Sequence, residues 1–252
     1  MSERGGVSLS RSSGGARADV AVAIPPVNVL GAADLVRLAE CVREAAPPAR
    51  VVLLRGLPGA FSAGVDVAEH APERAAIDRM LDAMRAALSA LIDAPAVTVA
   101  SVSGACLGGG AEIAAACDVV LVAEDARVAF PEIGLACFPP GACALLPLRI
   151  GEARSAEWIL TGRRVSGKEA AEAGFAARAV PSPGLNAATE ALVTRLVATA
   201  PAALAAARDL LRASRREALA GRLPAAEDAY RGLAGDADLA RAVADFAKPR
   251  AR

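Results

Sequence analysis

The sequence contains very few aromatic residues and a single histidine. Phenylalanine, tyrosine and tryptophan make up 3% of the 252 residues, whereas 54% of the residues are hydrophobic. A core of this composition has to be built from alanine, valine and leucine. Because His70 is the only histidine, a Ser-His-Asp triad or a zinc site has few possible members. We therefore predict no metal site and expect His70 on a loop or at the surface.

Net charge and paired cysteines are also absent. The 28 basic residues balance 28 acidic ones, which removes the electrostatic case for a nucleic-acid partner or an anionic membrane surface. The first 15 residues hold no apolar stretch of the kind found in secretory signals. Without a Cys-x-x-Cys pair, the pattern favours reduced, buried thiols in a cytoplasmic protein. The five cysteines are Cys41, Cys106, Cys117, Cys137 and Cys143.

Two uncharged stretches, residues 94–111 and 133–148, raise the question of membrane spans. Pro95 and several glycines interrupt the first stretch, and three prolines interrupt the second. Since these residues break helices, both stretches are predicted to be buried core and loop. We therefore predict no membrane partner.

Strand and helix patterns alternate through the first part of the chain. A hairpin is predicted between residues 7 and 24. Alternation of strands with helices predicts an α/β fold with mostly parallel strands. The further predicted strands cover 51–54, 97–102 and 119–123, and the predicted helices cover 34–44, 77–91 and 111–117.

Past residue 148 the pattern becomes helical. Ser166 and Glu169 have the spacing of a capping box at a helix start, and Gly174 suits the end of that helix. From Pro201 an Ala- and Leu-rich helical pattern continues nearly to the end of the chain. We predict a core over residues 1–198 and a C-terminal helical region over residues 199–252.

Two glutamates lie in apolar surroundings. Glu112 lies between a triple glycine and an apolar helix pattern, and Glu132 also has apolar neighbours. Burying an ionised carboxylate without a partner costs several kcal/mol, so such groups tend to have raised pKa values and to act as general acids or bases. The alternative is that either glutamate is a surface residue or a member of a buried ion pair. Two such carboxylates favour the catalytic interpretation.

Glycine-rich turns supply possible backbone donors. Gly108, Gly109 and Gly110 precede a helix, so their N–H groups face outward at the positive end of the helix dipole. Such an arrangement suits a phosphate or a developing oxyanion. The loop 61–66 follows a predicted strand and offers a second candidate donor. The alternative is that both are only tight strand-to-helix turns.

The order of these motifs resembles the crotonase (enoyl-CoA hydratase/isomerase) superfamily from about Asp19 to Phe246. The segment 61–66 matches the family's first oxyanion loop, 107–112 is close to its signature, and 131–135 matches the segment that carries its second catalytic glutamate. The resemblance implies an α/β crotonase-type spiral ββα core with a C-terminal helical oligomerisation segment. It also implies trimers, often paired as hexamers.

For the activity, the resemblance implies an enoyl-CoA hydratase. Glu112 would deprotonate a water for attack at C3 and Glu132 would deliver a proton to C2, while the amides of Val65 and Gly109 would bind the thioester oxygen. The substrate is an acyl-CoA thioester, so CoA is part of the substrate and no separate cofactor is implied. The implied substrate-binding residues are Ala63, Gly64, Asp66, Val67, Gly108, Pro131 and Phe138.

The sequence departs from the common family pattern at three places. Ala68 replaces a frequent lysine, and few cations follow Phe246, Lys248 and Arg250 among them, so the contacts to the CoA phosphates stay unassigned. The segment 137–143 replaces the usual Pro-x-x-Gly-Gly, in a region that shapes the acyl pocket. The acyl preference therefore stays open.

Three alternatives to a general enoyl-CoA hydratase remain. The segments 25–28, 66–72 and 138–140 are similar to cyclic dienoyl-CoA hydratases, such as those that act on cyclohexa-1,5-diene-1-carbonyl-CoA. An enoyl-CoA isomerase would use Glu132 alone, which the presence of Glu112 argues against. A non-enzymatic scaffold or RNA-binding protein with the same fold is disfavoured by zero net charge and two intact glutamates.

Overall fold

A computed structural model describes residues 5–45, 47–69 and 73–246 of the chain. The expectations for His70, Lys248 and Arg250 lie outside the described residues. The strands in the described part are β1 (Gly6–Arg11), β2 (Arg17–Ala23), β3 (Val29–Leu30), β4 (Val51–Arg55), β5 (Ala60–Ser62), β6 (Gly64–Val65), β7 (Val97–Val102), β8 (Ala105–Leu107), β9 (Val119–Ala123), β10 (Arg127–Ala129), β11 (Val165–Ser166) and β12 (Arg178–Val180).

Two larger sheets and one two-stranded ladder organise these strands. The six-stranded sheet has the order β1-β2-β4-β7-β9-β12, and the four-stranded sheet has the order β11-β10-β8-β5. Only β1–β2 and β10–β11 pair antiparallel; the other pairs are parallel, including β3 with β6. The predicted α/β fold with mostly parallel strands is confirmed.

Helices cover the sheets and form the C-terminal part of the described residues. The predicted helices over 34–44, 77–91 and 111–117 are confirmed with slightly different bounds. The helices in the described residues are α1 (Ala32–Ala45), α2 (Arg74–Asp93), α3 (Gly109–Ala116), α4 (Pro140–Leu145), α5 (Pro147–Ile150), α6 (Glu152–Thr161), α7 (Gly167–Ala173), α8 (Leu185–Ala198), α9 (Pro201–Leu211), α10 (Ala213–Arg231) and α11 (Ala237–Phe246).

The two predicted ends of α7 have different outcomes. Gly174 ends the helix in the left-handed conformation, with φ of 94°, as predicted. At the start, the hydroxyl of Ser166 accepts a hydrogen bond from the Glu169 amide at 3.1 Å. The Glu169 carboxylate contacts Arg163 at 2.6 Å. The serine half of the predicted capping box is therefore confirmed, whereas the glutamate is engaged elsewhere.

The core is built from small aliphatic side chains, as the composition requires. Helix α3 is buried along its whole length and lies between the sheets and helices α2 and α4. Four of the five cysteines are buried, Cys143 is half-buried, and all five are free. The segment between the triple glycine and Cys117 forms a fully buried helix. Its backbone polar groups therefore need hydrogen-bond partners within the protein.

The C-terminal helices pack on this core in the same chain. Helix α10 contacts α2 and α4. The buried side chain of Arg212, at the start of α10, contacts Asp118 with its Nε at 2.7 Å and donates to the Ala96 carbonyl at 2.8 Å. This region is therefore joined to the core by charge as well as by apolar packing. The boundary after residue 198 stays a prediction.

Within the described ranges, no single helix is long and apolar enough to cross a membrane. One bent pair, Ser182–Ala198 with Pro201–Arg231, meets the length and composition criteria together, with an angle of 113° between its two parts.

Candidate active site

Glu112 lies in the first turn of α3 and is almost fully buried, with 3% of its surface exposed. Its Oε1 accepts a hydrogen bond from the backbone amide of Ala142, at the start of α4, at 2.8 Å. A Cβ on Gly141 would lie 2.9 Å from the same oxygen, so glycine lets α4 approach the carboxylate. This contact holds one oxygen of Glu112 and fixes the direction of its side chain.

Glu132 lies in the short 3-10 helix Pro131–Leu135 and faces Gly108. A Cβ added to Gly108 would lie 2.5 Å from its Oε1. Its Oε2 is buried and has no hydrogen-bond donor among the described residues. A buried polar atom of this kind calls for a bound water or ligand group, so Glu132 presents an oxygen to whatever occupies the site.

Burial dominates the protonation of both glutamates. It raises the pKa of Glu112 above its usual range, against the opposing effect of the Ala142 and Gly141 amides. Burial also raises the pKa of Glu132, and the nearby charge of Glu112 raises it further. The two carboxyl groups therefore resist being ionised together, and a state with one proton on the pair is favoured. Such a pair can accept one proton and donate another.

Backbone amides converge beside the two carboxyl groups. Gly109 is the first residue of α3, where N–H groups have no partner within the helix. Gly108, just before it, has φ of 51°, which favours glycine. A Cβ on Gly109 would lie 3.6 Å from the amide nitrogen of Val65, and one on Gly64 would lie 3.8 Å from the nitrogen of Gly109. The two predicted oxyanion donors are thus brought together.

A buried asparagine positions the loop that carries Val65. The Asn28 side chain accepts from the Ile24 amide at 2.7 Å and donates to the Ala60 carbonyl at 2.9 Å. The Ser62 hydroxyl donates to the Asn28 carbonyl at 2.7 Å and accepts from the Gly64 amide at 3.1 Å. These bonds set the path of the chain into β6, and with it the direction of the Val65 amide.

A cavity of about 360 Å³ runs past these groups. It contains most of the residues predicted to bind substrate, while Phe138 lines a smaller cavity that adjoins both glutamates. Asp66 lines neither; its carboxylate accepts from the Ala68 amide at 2.9 Å, and its role in binding stays a prediction. The predicted residues that line the larger cavity are Ala63, Gly64, Val65, Val67, Gly108, Gly109, Pro131 and Glu132.

Sequence reasoning missed three contributors to these cavities. The Ala142 amide holds Glu112, and the glycine after Pro139-Pro140 was its only sequence signal. Arg164 lines the larger cavity with an exposed side chain, and nothing in the sequence set it apart from the neighbouring arginine. Tyr230 lines the smaller cavity from α10. It is the only tyrosine in the chain, but its place in the cavity depends on how α10 packs, which the sequence does not show.

Comparisons with known proteins give the family. The enoyl-CoA hydratase/isomerase family model matches residues 25–251. Cyclohexa-1,5-dienecarbonyl-CoA hydratase of Thauera aromatica is 36% identical over 59% of this chain and 57% of its own length. An Arabidopsis thaliana protein named "Probable enoyl-CoA hydratase 2, mitochondrial" is 31% identical over 80% of this chain and 68% of its own length.

The fold agrees with this assignment. An enoyl-CoA hydratase from Mycobacterium avium subsp. paratuberculosis superimposes with a TM-score of 0.87 over 95% of this chain and 98% of its own, at 24% identity. The match to the Thauera protein spans less than two thirds of that relative. The predicted crotonase-type α/β fold with C-terminal helices is confirmed, and the chain belongs to the enoyl-CoA hydratase/isomerase (crotonase) family.

Proposed function

We propose that this chain is an enoyl-CoA hydratase that adds water reversibly across the double bond of a 2-enoyl-CoA thioester. The supporting observation is the pairing of Glu112 and Glu132 at one small cavity, beside the amides of Val65 and Gly109. One carboxyl oxygen of Glu132 is buried without a donor among the described residues. That arrangement suits a water held between the two side chains.

The reaction follows from one ionised and one protonated carboxyl group. Ionised Glu112 takes a proton from the water as the water oxygen bonds to C3. The electron pair of the double bond moves towards the thioester oxygen, and protonated Glu132 gives its proton to C2. The OH and H are added to the same face, and transfer of a proton from Glu112 back to Glu132 restores the starting state. The atoms of one water are thereby fully used.

The two amides stabilise the charge that forms on the thioester oxygen. Val65 and Gly109 supply donors from two separate segments, and the Gly109 donor lies at the positive end of a helix. In other enzymes the loss of one such donor costs about 2.7–4 kcal/mol of transition-state stabilisation. Two fixed donors therefore supply the largest electrostatic contribution to this step.

Arg164 is proposed as a contact for the CoA phosphates. Within the described ranges its guanidinium makes no ion pair or hydrogen bond, and it is the only cation among the residues that line the larger cavity there. Guanidinium groups bind phosphate oxygens in bidentate fashion. We expect Arg164→Met to raise KM for a CoA thioester and to leave KM for the phosphate-free N-acetylcysteamine thioester unchanged.

Hydration of a cyclic dienoyl-CoA is the second candidate. The observation that favours it is the 36% identity to the Thauera cyclohexa-1,5-dienecarbonyl-CoA hydratase. Assays with crotonyl-CoA and with cyclohexa-1,5-diene-1-carbonyl-CoA separate the two candidates by their kcat/KM ratio. A ratio that favours the linear substrate supports the general hydratase, and one that favours the ring supports the cyclic alternative.

The proposal is tested by following loss of the conjugated thioester absorbance in water enriched in ¹⁸O. Hydration places the heavy oxygen at C3 of the product, whereas an isomerase moves the double bond without taking up oxygen. Absence of ¹⁸O incorporation with every enoyl-CoA tested would refute the hydratase. Isomerisation that survives in Glu112→Gln while hydration is lost would indicate a bifunctional site.

We also propose a trimeric or hexameric assembly. Helix α9 leaves Leu210 and Leu211 exposed, at 80% and 78%, which supports docking of this region on another subunit. Light scattering at micromolar concentration is expected to give the mass of a trimer or a hexamer of the 25.3 kDa chain. A monomer mass would contradict the assembly.

A further inference from the structure

Part of the wall of the smaller cavity comes from the C-terminal region. The cavity adjoins Glu112 and Glu132, so it holds the reacting carbons and whatever follows them in the acyl chain. Its volume is about 40 Å³. Since one water-sized group needs about 10–15 Å³, the cavity holds about three such groups. One of them is the attacking water, which leaves about two positions for carbon.

Tyr230 supplies that part of the wall and packs against Phe138, which also lines the cavity. The two rings lie with their centroids 5.5 Å apart and their planes at 59°, which is a favourable tilted packing. Tyr230 is 2% exposed and belongs to a cluster of buried apolar residues that includes Cys137 and Leu81. The ring of Tyr230 is therefore held in place by apolar packing.

Ion pairs on either side of Tyr230 fix the helix that carries it. Glu227, one turn earlier on α10, is 1% exposed and forms an ion pair with Arg85 of α2. Arg231, the next residue, contacts Asp78 of α2 at 2.8 Å. Moving Tyr230 away from the cavity would disturb both pairs. The wall is thus a fixed part of the fold rather than a loose surface loop.

We propose that Tyr230 is a specificity-determining residue that limits the acyl group to short chains, of about four carbons. The limit rests on the proposed function, because that function places the reacting double bond between the two glutamates. A longer acyl chain would have to displace the buried Tyr230 ring, whose helix is held to α2 by two ion pairs. The residue acts by shape and takes no part in proton transfer.

The limit reverses the usual effect of chain length on affinity. In an open apolar pocket, each added methylene tightens binding about fourfold, so octanoyl-CoA would bind more than 100-fold more tightly than butyryl-CoA. With the wall in place, the four extra carbons have no room. We expect octanoyl-CoA to bind the wild-type protein at least about tenfold more weakly than butyryl-CoA, which corresponds to about 1.4 kcal/mol.

Calorimetry with these two saturated thioesters tests the limit independently of turnover. Tyr230→Ala removes the wall and is expected to bring octanoyl-CoA to an affinity equal to or higher than that of butyryl-CoA. Phe138→Ala opens the same cavity from its other side and serves where loss of the Tyr230 ring prevents folding. Tyr230→Phe keeps the ring and should keep the wild-type preference. Leu239→Ala, in the same apolar cluster but lining the larger cavity, should also keep the ratio of the two affinities.

Two results would overturn the proposal. One is wild-type protein that binds octanoyl-CoA as tightly as butyryl-CoA, and the other is an unchanged ratio in both Tyr230→Ala and Phe138→Ala. Failure of the hydratase proposal looks different. In that case no enoyl-CoA is hydrated, while the calorimetric preference for the short thioester and its loss in the two variants are still observed.

Discussion

The two ends of helix α3 are satisfied in opposite ways. At its C-terminal end, Arg149 donates to the Ala115 carbonyl at 2.7 Å, and Arg215 donates to the Ala116 carbonyl at 2.9 Å and contacts Asp118 at 2.6 Å. At its N-terminal end, no side chain among the described residues caps the helix, and Gly108 precedes it with a positive φ of 51°.

One end of the helix is therefore stabilised by side chains, and the other end faces the candidate active site. Buried carbonyls without partners are costly, and cations at a helix C-terminus also interact favourably with its dipole. The arginines meet both needs at one end. At the other end the same dipole stays available to a substrate, and the carboxyl groups of Glu112 and Glu132 lie beside it. The helix is fixed at the end away from the two glutamates and open at the end where we propose that the reaction takes place.

The largest effect on activity is expected from Glu132→Gln and Glu112→Gln at the open end. Each variant removes a proton donor or acceptor whose contribution is about 10²–10⁴-fold. We expect kcat for enoyl-CoA hydration to fall by that factor with little change in KM. Steady-state kinetics measures the fall, and a melting curve at neutral pH confirms that the variants fold. Near-wild-type turnover in a folded Glu132→Gln protein would remove Glu132 from the mechanism.

Arg212→Met should act on the opposite end and produce the opposite pattern. The guanidinium is fully buried and pairs with Asp118, and removal of one partner of a buried ion pair costs about 3–5 kcal/mol. We expect the free energy of unfolding in urea to fall by that amount. The matched control is Arg37→Met, whose ion pairs are exposed and which should lower the free energy of unfolding far less than Arg212→Met does. Equal losses in the two variants would show that the buried cluster has no special role.

Gly109→Ala intrudes directly on the open end. The new methyl would lie 3.6 Å from the Val65 nitrogen and 2.7 Å from both Met84 Cε and Val65 Cγ1, in the space that the thioester oxygen needs. We expect kcat/KM to fall at least about tenfold, or about 1.4 kcal/mol, with little change in melting temperature. Activity equal to wild type would exclude the Gly109 amide as a donor.

The control for Gly109→Ala must be chosen with care. Gly108→Ala, one residue upstream, does not serve as this control. A Cβ there would lie 2.5 Å from Glu132 Oε1, so the variant disturbs a proposed catalytic group directly. Gly221→Ala is the better control, because Gly221 lies within α10 and a Cβ there meets nothing within 4 Å. It should leave kcat/KM unchanged and raise stability slightly.

The open end of α3 could be predicted from the sequence, whereas its fixed end could not. Three consecutive glycines before an apolar helix, with Glu112 in its first turn, constitute a local pattern that carries its own physical meaning. Arg212 and Arg215 lie about a hundred residues from the carbonyls that they contact. They look like surface arginines on a polar helix until the packing of α10 is known.

The same reason explains why Tyr230 was not predicted to line the smaller cavity. Tyr230 lies near the two glutamates because α10 packs against α2 and α4. No residue spacing in the sequence indicates that packing. Parallel strands were predicted correctly because each buried strand is a short apolar run. Short strands such as β5 and β8 were missed because two or three residues give no periodic signal.

The smallest effect concerns stability at the open end of α3. There the Glu112 carboxyl group is buried, the Glu132 side chain is partly buried, and neither forms an ion pair among the described residues. Burial raises the pKa of both Glu112 and Glu132 in the folded protein from an ordinary value of 4.5. The folded state therefore binds more protons than the unfolded state as pH rises from about 4.5 through the raised values, and stability falls over that window. Glu132→Gln removes one of these groups and should lose part of this dependence.

We expect Glu132→Gln to melt at a temperature close to that of the wild type at pH 5 and at a higher temperature at pH 9. Each unit of pKa shift is worth about 1.4 kcal/mol, and 1 kcal/mol moves the melting temperature of a chain of this size by about 2–4 °C. The expected gain at pH 9, measured by calorimetry, is therefore about 3–6 °C for each pH unit by which burial raises the pKa of Glu132. Arg212→Met, at the fixed end, should be destabilised at both pH values. Glu132→Gln could instead be less stable than wild type by the same amount at pH 5 and pH 9. That result would mean that burial does not destabilise the ionised Glu132 carboxyl group. The contrast between the two ends of α3 would then rest on Gly109 alone.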